Sequence, residues 1–184
     1  MMRFALTTAA ALLLLTPKPS QAQANPFIFI GGGITIPMGD FGDLAKSGWM
    51  ATGGFGVSVG TGKLAIGGEG YYGRNSLDGP SEDATNLYGG SAWLAYRLGQ
   101  PGRVAPYVIG SAGFLAADFD PEDPADDVNT DTEFAWSGGA GVDIPLSGSV
   151  SLYIEGRYMA RGDVRFIPIF AGLSFSFGGG GGGM

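Results

Sequence analysis

From Pro26 onward, apolar side chains recur at about every second position for roughly ten residues, halt at a cluster of turn formers, and begin again. A period of two belongs to β-strands, whose successive side chains point to opposite faces. Eight segments carry it, at 26–36, 49–60, 63–73, 86–98, 104–117, 134–146, 149–160 and 166–177. The connections alternate in length. Those at 61–62, 99–103 and 147–148 are tight, whereas 37–48, 74–85 and 118–133 span 12, 12 and 16 residues. Short and long ends therefore segregate, which an up-and-down barrel does by placing all its long loops at one mouth.

The register of polar residues decides what surrounds the barrel. Ala51, Phe55, Val57 and Val59 alternate with Thr52, Gly54, Gly56 and Ser58, and the second set is small and polar. Leu64 and Ile66 oppose Lys63 and Glu69; Val142 and Ile144 oppose Asp143; Val150, Leu152 and Ile154 oppose Glu155 and Arg157. Charges embedded in strands thus avoid the apolar face, the arrangement of a wall with lipid outside and a polar lumen. The fifth segment is apolar on both faces and leaves its register open. The pattern predicts an all-β fold, an eight-stranded antiparallel up-and-down transmembrane β-barrel whose first and last strands pair, because lipid tolerates no open sheet edge. Its outer band is predicted to contain Phe55, Val57, Leu64, Ile66, Leu94, Leu152, Ile154, Ile169, Leu173 and Phe175, with Trp and Tyr toward the rims.

Composition changes the picture at three places. Residues 1–24 have a basic start at Arg3, an apolar run over 4–15 and Ala22-Gln23-Ala24, the form of a cleavable signal peptide, too short to span a bilayer as a helix. The barrel is then predicted over 25–177, and 178–184 form a flexible glycine tail. The 35 glycines suit a narrow barrel, where a missing side chain relieves crowding. Gly31-Gly32-Gly33 and Gly138-Gly139-Ala140-Gly141 open no helix and carry no following Lys-Ser/Thr, so neither reads as a phosphate loop. Without residues 1–24, 8 basic residues face 17 acidic ones, a balance that excludes nucleic acid as a partner.

The chemistry is sparse. There is no Cys and no His, hence no disulfide, no thiolate metal site and no imidazole base; no Ser-x-x-Lys occurs either, and no cofactor motif. The chain is read as non-enzymatic. Asp118, Asp120, Glu122, Asp126 and Asp127 crowd the longest connection and are weak candidates for Ca²⁺, but their spacing does not match an EF-hand loop, since Asp123 stands where Gly is required. Inside the wall, Glu69, Arg97, Glu155 and Arg157 are predicted to form an ion network, with Glu69 and Arg157 on opposing strands near mid-height, paired directly or through Tyr153. Local pairing of Arg157 with Glu155 is the alternative.

Gly39-Asp40-Phe41-Gly42, Pro106-Tyr107-Val108, Glu155-Gly156-Arg157-Tyr158 and Phe175-Ser176-Phe177 together resemble the outer-membrane β-barrel domain family that includes small barrels of the OmpA and OmpX type. The resemblance implies an outer-membrane location in a Gram-negative cell, outer-membrane lipid as surroundings, and insertion by the barrel-assembly machinery. That machinery reads a last strand with Gly and then alternating aromatics, here Gly172, Phe175 and Phe177. Phe170 stands where the family usually has a polar residue, and the glycine tail follows the last aromatic. The function expected is a structural or surface-interaction, adhesin-like role carried by the outer loops; a small or gated channel is the alternative.

Overall fold

The computed structural model describes residues 24–77, 84–100, 102–120 and 130–177. The predicted signal peptide and glycine tail, and with them Glu122, Asp126 and Asp127, lie outside the described residues except for Ala24. In chain order the elements are β1 (Asn25–Met38), a short helix α1 (Asp40–Leu44), β2 (Gly48–Val59), β3 (Leu64–Ser76), β4 (Ala84–Arg97), β5 (Ala105–Asp120), β6 (Thr130–Pro145), β7 (Val150–Arg161) and β8 (Val164–Ser176). Every strand pairs antiparallel with its sequence neighbours, and β1 closes on β8 from Phe27↔Ser176 to Met38↔Arg165. Closure satisfies the backbone groups around the wall without help from water.

Alternation fixes the two faces. On the outside stand Ile28, Ile30, Ile34, Phe55, Ile66, Leu94, Val108, Phe114, Phe134, Ile154, Ile169 and Leu173, all exposed, with Ile30 and Phe55 each at 64%. Val57, Leu152 and Phe175 share that face and are half-buried by their neighbours. In water such a belt would be a severe liability; in hydrocarbon it is the solvated surface. Among the described residues, outward charges occur only beyond the belt, at Arg74, Asp118 and Arg165 on one end and in the turns on the other. β5 resolves its open register by sending Pro106, Val108, Ala112 and Phe114 out and Tyr107, Ile109 and Leu115 in.

The aromatic rims need a correction. Trp49, Tyr72, Tyr88, Tyr96, Trp136 and Tyr158 face outward, with Trp49 on Tyr72 and Trp136 on Tyr158 at ring-centroid separations of 5.6 and 5.7 Å. Tyr71, Trp93 and Tyr107 instead turn inward and are buried, as is Tyr153, which the alternation already places in the lumen. An interior held open by so many glycines has room for large rings, and burying them gains more apolar contact than a place at the rim. Gly56 and Gly67 illustrate the fit: a Cβ on Gly56 would stand 2.6 Å from the Trp93 ring, and one on Gly67 2.5 Å from it.

The outer connections are shorter than the sequence pattern predicts, because the strands continue past the apolar belt. β1, β3, β4, β5 and β6 all run beyond the predicted segments, leaving only 39–47, 77–83 and 121–129 between them, while β7 and β8 join through Gly162 and Asp163. Asp118, Asp120, Asp131 and Glu133 consequently sit on strands, not in a loop. Local preference for turns at Asp and Pro yields to a ladder that keeps adding cross-strand bonds where both faces are wet. At this end β6 pairs with β5 from Thr130 but with β7 only from Trp136, so a step of six residues, 130–135, stands above the β7–β8 turn. α1 occupies the first connection and folds Phe41 inward over Phe166, with ring centroids 6.5 Å apart.

Candidate functional site: the lumen and the outer rim

Inward alternation on β3 and β7 delivers Glu69, Glu155 and Arg157 to the same level of the lumen. Arg157 Nη2 donates to Glu69 Oε2 at 3.0 Å and Nη1 to Glu69 Oε1, while Nε donates to Glu155 Oε1. The cross-lumen and the local pairing therefore coexist, since a guanidinium has five N–H donors and can serve two carboxylates at once. Remaining lone pairs are also engaged: the Ser91 hydroxyl donates to Glu69 Oε1 and the Tyr107 hydroxyl to Glu155 Oε2, both at 2.8 Å. All three charged side chains are buried. Tyr153 is not a bridge; its hydroxyl has no hydrogen-bond partner among the described residues.

Arg97 does not belong to this layer. It lies toward the short-turn end, where Nη2 donates to Asp143 Oδ2 at 3.1 Å and Nη1 to the Gly62 carbonyl at 3.3 Å. The physical reason is height. Arg97 is the last residue of β4, so its guanidinium meets the lowest inward carboxylate of β6, which is registered with Tyr153, two residues below Glu155. The alternation of β6 places Asp143 inside but does not assign it to an ion pair. Its position four residues before the Ser147-Gly148 turn, matched with Arg97 beside the 99–103 turn, was the signal available.

Between the two ion pairs lies an aromatic layer. Trp93 packs on Phe27 and Phe29 at 6.0 and 6.1 Å, and Phe29 meets Tyr153 edge-on at 6.1 Å. Above the Arg157 layer the lumen is filled by Met50, Leu87, Leu115, Ala135, Met159, Phe166 and Phe170. Its polar groups are mutually satisfied: Thr35 and Asn75 bond each other, Asn75 also donates to the Lys46 carbonyl at 2.8 Å, and Ser137 bonds Ser111 at 2.7 Å. At the outer mouth Arg161 meets Asp131 at 2.7 Å and Glu133 at 3.7 Å. Eight strands enclose an interior that side chains just fill, and here three charged levels and two apolar layers fill it.

The remaining predicted positions are dispersed. Asp118 faces outward near the end of β5, away from the lumen, and no group of three acidic side chains among the described residues could hold a metal ion. Gly172 faces inward on β8 under the Tyr153 ring, and Phe175 and Phe177 face outward at the short-turn end. Charge is divided along the axis. Among the described residues, Glu69, Asp143 and Glu155 belong to the wall's interior, and Asp40, Asp43, Asp118, Asp120, Asp131, Glu133 and Asp163 to the outer end, with Lys46, Arg74, Arg161 and Arg165; in the sequence, seven more carboxylates fall within 77–83 and 121–129. Among the described residues, the turns of the opposite end carry Lys63 and Arg103 and no carboxylate.

Solved structures share this architecture. Neisserial surface protein A matches with a TM-score of 0.68 and 18% identity, over 84% of this chain and 99% of that one. The attachment invasion locus protein of Yersinia pestis, solved in complex with the heparin analogue sucrose octasulfate, matches at 0.61 and 16%, over 84% and 99%. The N-terminal β-barrel domain of Pseudomonas aeruginosa OprF matches at 0.52 and 15%, over 84% and 100%. No curated protein sequence matches the chain. The model of the outer membrane protein beta-barrel domain matches residues 7–177, the whole of the closed sheet, and the chain belongs to that family.

Proposed function

We propose that this barrel is a non-enzymatic outer-membrane anchor whose working part is its acidic outer end, a structural or surface-interaction role of adhesin-like kind. The observation that carries the reading is the axial division of charge, with seven carboxylates and four cations among the described residues at one end of a wall whose interior is filled, and seven more carboxylates in the sequence between those strands. A field of that sign attracts cationic surfaces and repels polyanions. The Yersinia relative was solved with a sulfated ligand; this chain's outer end has the opposite preference. Retention of cells displaying the protein on cationic, uncharged and sulfated-polysaccharide coatings tests the reading. Retention is expected on the cationic coating alone, and is lost when the acidic residues of 118–133 are replaced by Asn and Gln. Equal retention by the neutralised variant would show that this end is not the working part.

A further inference from the structure

The short-turn end differs from the acidic end in two ways. Its charge has one sign: Lys63 and Arg103 are exposed in its turns, and neither has an ion-pair partner among the described residues. The nearby Arg97–Asp143 pair is buried inside the wall and leaves the charge of the turns uncancelled. The second difference is that apolar surface continues to the very end of the strands. Leu98, Val104, Leu146 and Phe177 are all exposed at or beside the turns, whereas at the outer end the outward face becomes charged at Arg74, Asp118 and Arg165 while the strands still run. A wall with no polar margin places the boundary of the hydrocarbon at its turns, so the headgroups of that leaflet lie level with Lys63 and Arg103.

The topology brings these two cations to one side of the barrel. β3 and β4 are registered neighbours, so the turn that precedes β3 and the one that follows β4 sit side by side. The Arg97 N–H donates to the Lys63 carbonyl, and the next N–H, that of Leu98, donates to the Pro106 carbonyl, both at 2.8 Å. Leu98 therefore stands between the Lys63 turn and the strand into which Arg103 leads. One step further into the membrane, Leu64, Tyr96 and Val108 form a single outward row across β3, β4 and β5, with the Tyr96 ring at the depth where aromatic residues meet headgroups. The third turn, Ser147-Gly148, carries no charge, although Leu146 beside it is as exposed as Leu98, at 59% each.

We propose that the two neighbouring turns form a docking site for an anionic phospholipid of the leaflet on the short-turn side. Lys63 and Arg103 hold its phosphate and its negatively charged headgroup, and its acyl chains lie along Leu64, Tyr96, Leu98 and Val108. Charge complementarity selects this occupant. Two cations with no carboxylate beside them attract a headgroup of net negative charge and gain less from a zwitterionic one, whose ammonium they repel. The acidic end repels the same headgroup, so the preference belongs to one leaflet. Within that leaflet it belongs to one side of the barrel, because the Ser147-Gly148 turn has nothing to offer a phosphate but hydroxyl and backbone groups. This inference does not depend on what the outer end binds.

Because the chain has no cysteine, a bimane fluorophore can be attached at one chosen position without background. Leu98→Cys and Leu146→Cys carry it at the charged and at the uncharged turn. Each labelled protein is folded into phosphatidylcholine nanodiscs, and closure is verified by gel mobility before and after boiling. Quenching by phosphatidylglycerol with brominated acyl chains is then compared with quenching by brominated phosphatidylcholine at the same mole fraction. At L98C the anionic lipid is expected to be enriched about five-fold or more, since each basic residue near an anionic surface is worth roughly that factor. At L146C no enrichment is expected. The double substitution Lys63→Gln and Arg103→Gln, at exposed turn positions outside the strands, is expected to abolish the enrichment at L98C. Equal quenching by the two lipids at L98C overturns the proposal; so does the same enrichment at L146C, which needs no charge variant to establish, and so does enrichment that survives K63Q/R103Q.

Discussion

Replacing Arg157 by Met removes the one cation shared by two buried carboxylates and leaves a side chain of similar length. The structure sets the size of the loss. Three donor contacts disappear, two to Glu69 and one to Glu155, and each hydrogen bond to a charged group is worth roughly 1.5–3 kcal/mol before the site relaxes. Glu69 and Glu155 are left beside each other in a narrow interior, with Ser91 and Tyr107 as their donors among the described residues. Breaking a buried pair by removing one partner costs about 3–5 kcal/mol, and R157M is expected within that range. The triple variant E69Q/E155Q/R157M retains the volume and removes every charge, so it is expected to recover to within about 1 kcal/mol of the original. Urea unfolding in phospholipid vesicles, followed by tryptophan fluorescence and by the boiled-against-unboiled gel shift, reads both. A loss below about 1 kcal/mol for R157M would refute the reasoning, because the layer would then carry no uncompensated charge. So would a triple variant as unstable as the single one.

Ile154→Arg places a cation on the lipid face and should cost about 2–4 kcal/mol in vesicles if it lies at the bilayer midplane; insertion with unchanged stability would mean that this face does not meet hydrocarbon. Gly56→Val drives a side chain into the Trp93 and Phe27 rings and should cost about 1–3 kcal/mol, partly recovered by Trp93→Leu; a loss that Trp93→Leu leaves unchanged would locate the strain elsewhere. Planar-bilayer recording of the purified protein should show no sustained conductance, because the Arg157 layer and the aromatic rings fill the lumen; steady open levels would contradict a filled interior.

The strands and their faces were legible because lipid leaves a strong mark on a sequence. Ile154 must face out and Glu155 must face in, and a single such pair sets the register of all of β7. The same alternation identified Glu69 and Arg157 as lumen side chains. What alternation cannot give is height to within one residue, and height separates Arg97, which meets Asp143, from the level at which Arg157 holds both glutamates. The outer ends of β5 and β6 were hidden for a different reason. Above the membrane both faces of a hairpin are wet, so Asp118, Asp131 and Glu133 carry no periodic signal, and only the pairing of the backbones makes them strand. Inward Trp93 and Tyr107 were equally silent, because their places depend on glycines contributed by neighbouring strands.

The step at the outer rim has its own consequence. Between Thr130 and Ala135, β6 presents backbone to its β7 side with no strand beside it, and an unprotected edge of this kind invites a second chain to add itself. Arg161 stands across that gap. Its guanidinium donates to the Asp131 carbonyl at 2.8 Å and holds the Asp131 carboxylate as well, so one edge acceptor is already taken and a charged side chain blocks the approach. One arginine at the end of β7 thus covers part of the edge that β6 leaves open above the β7–β8 turn, where a second strand would otherwise find a free carbonyl.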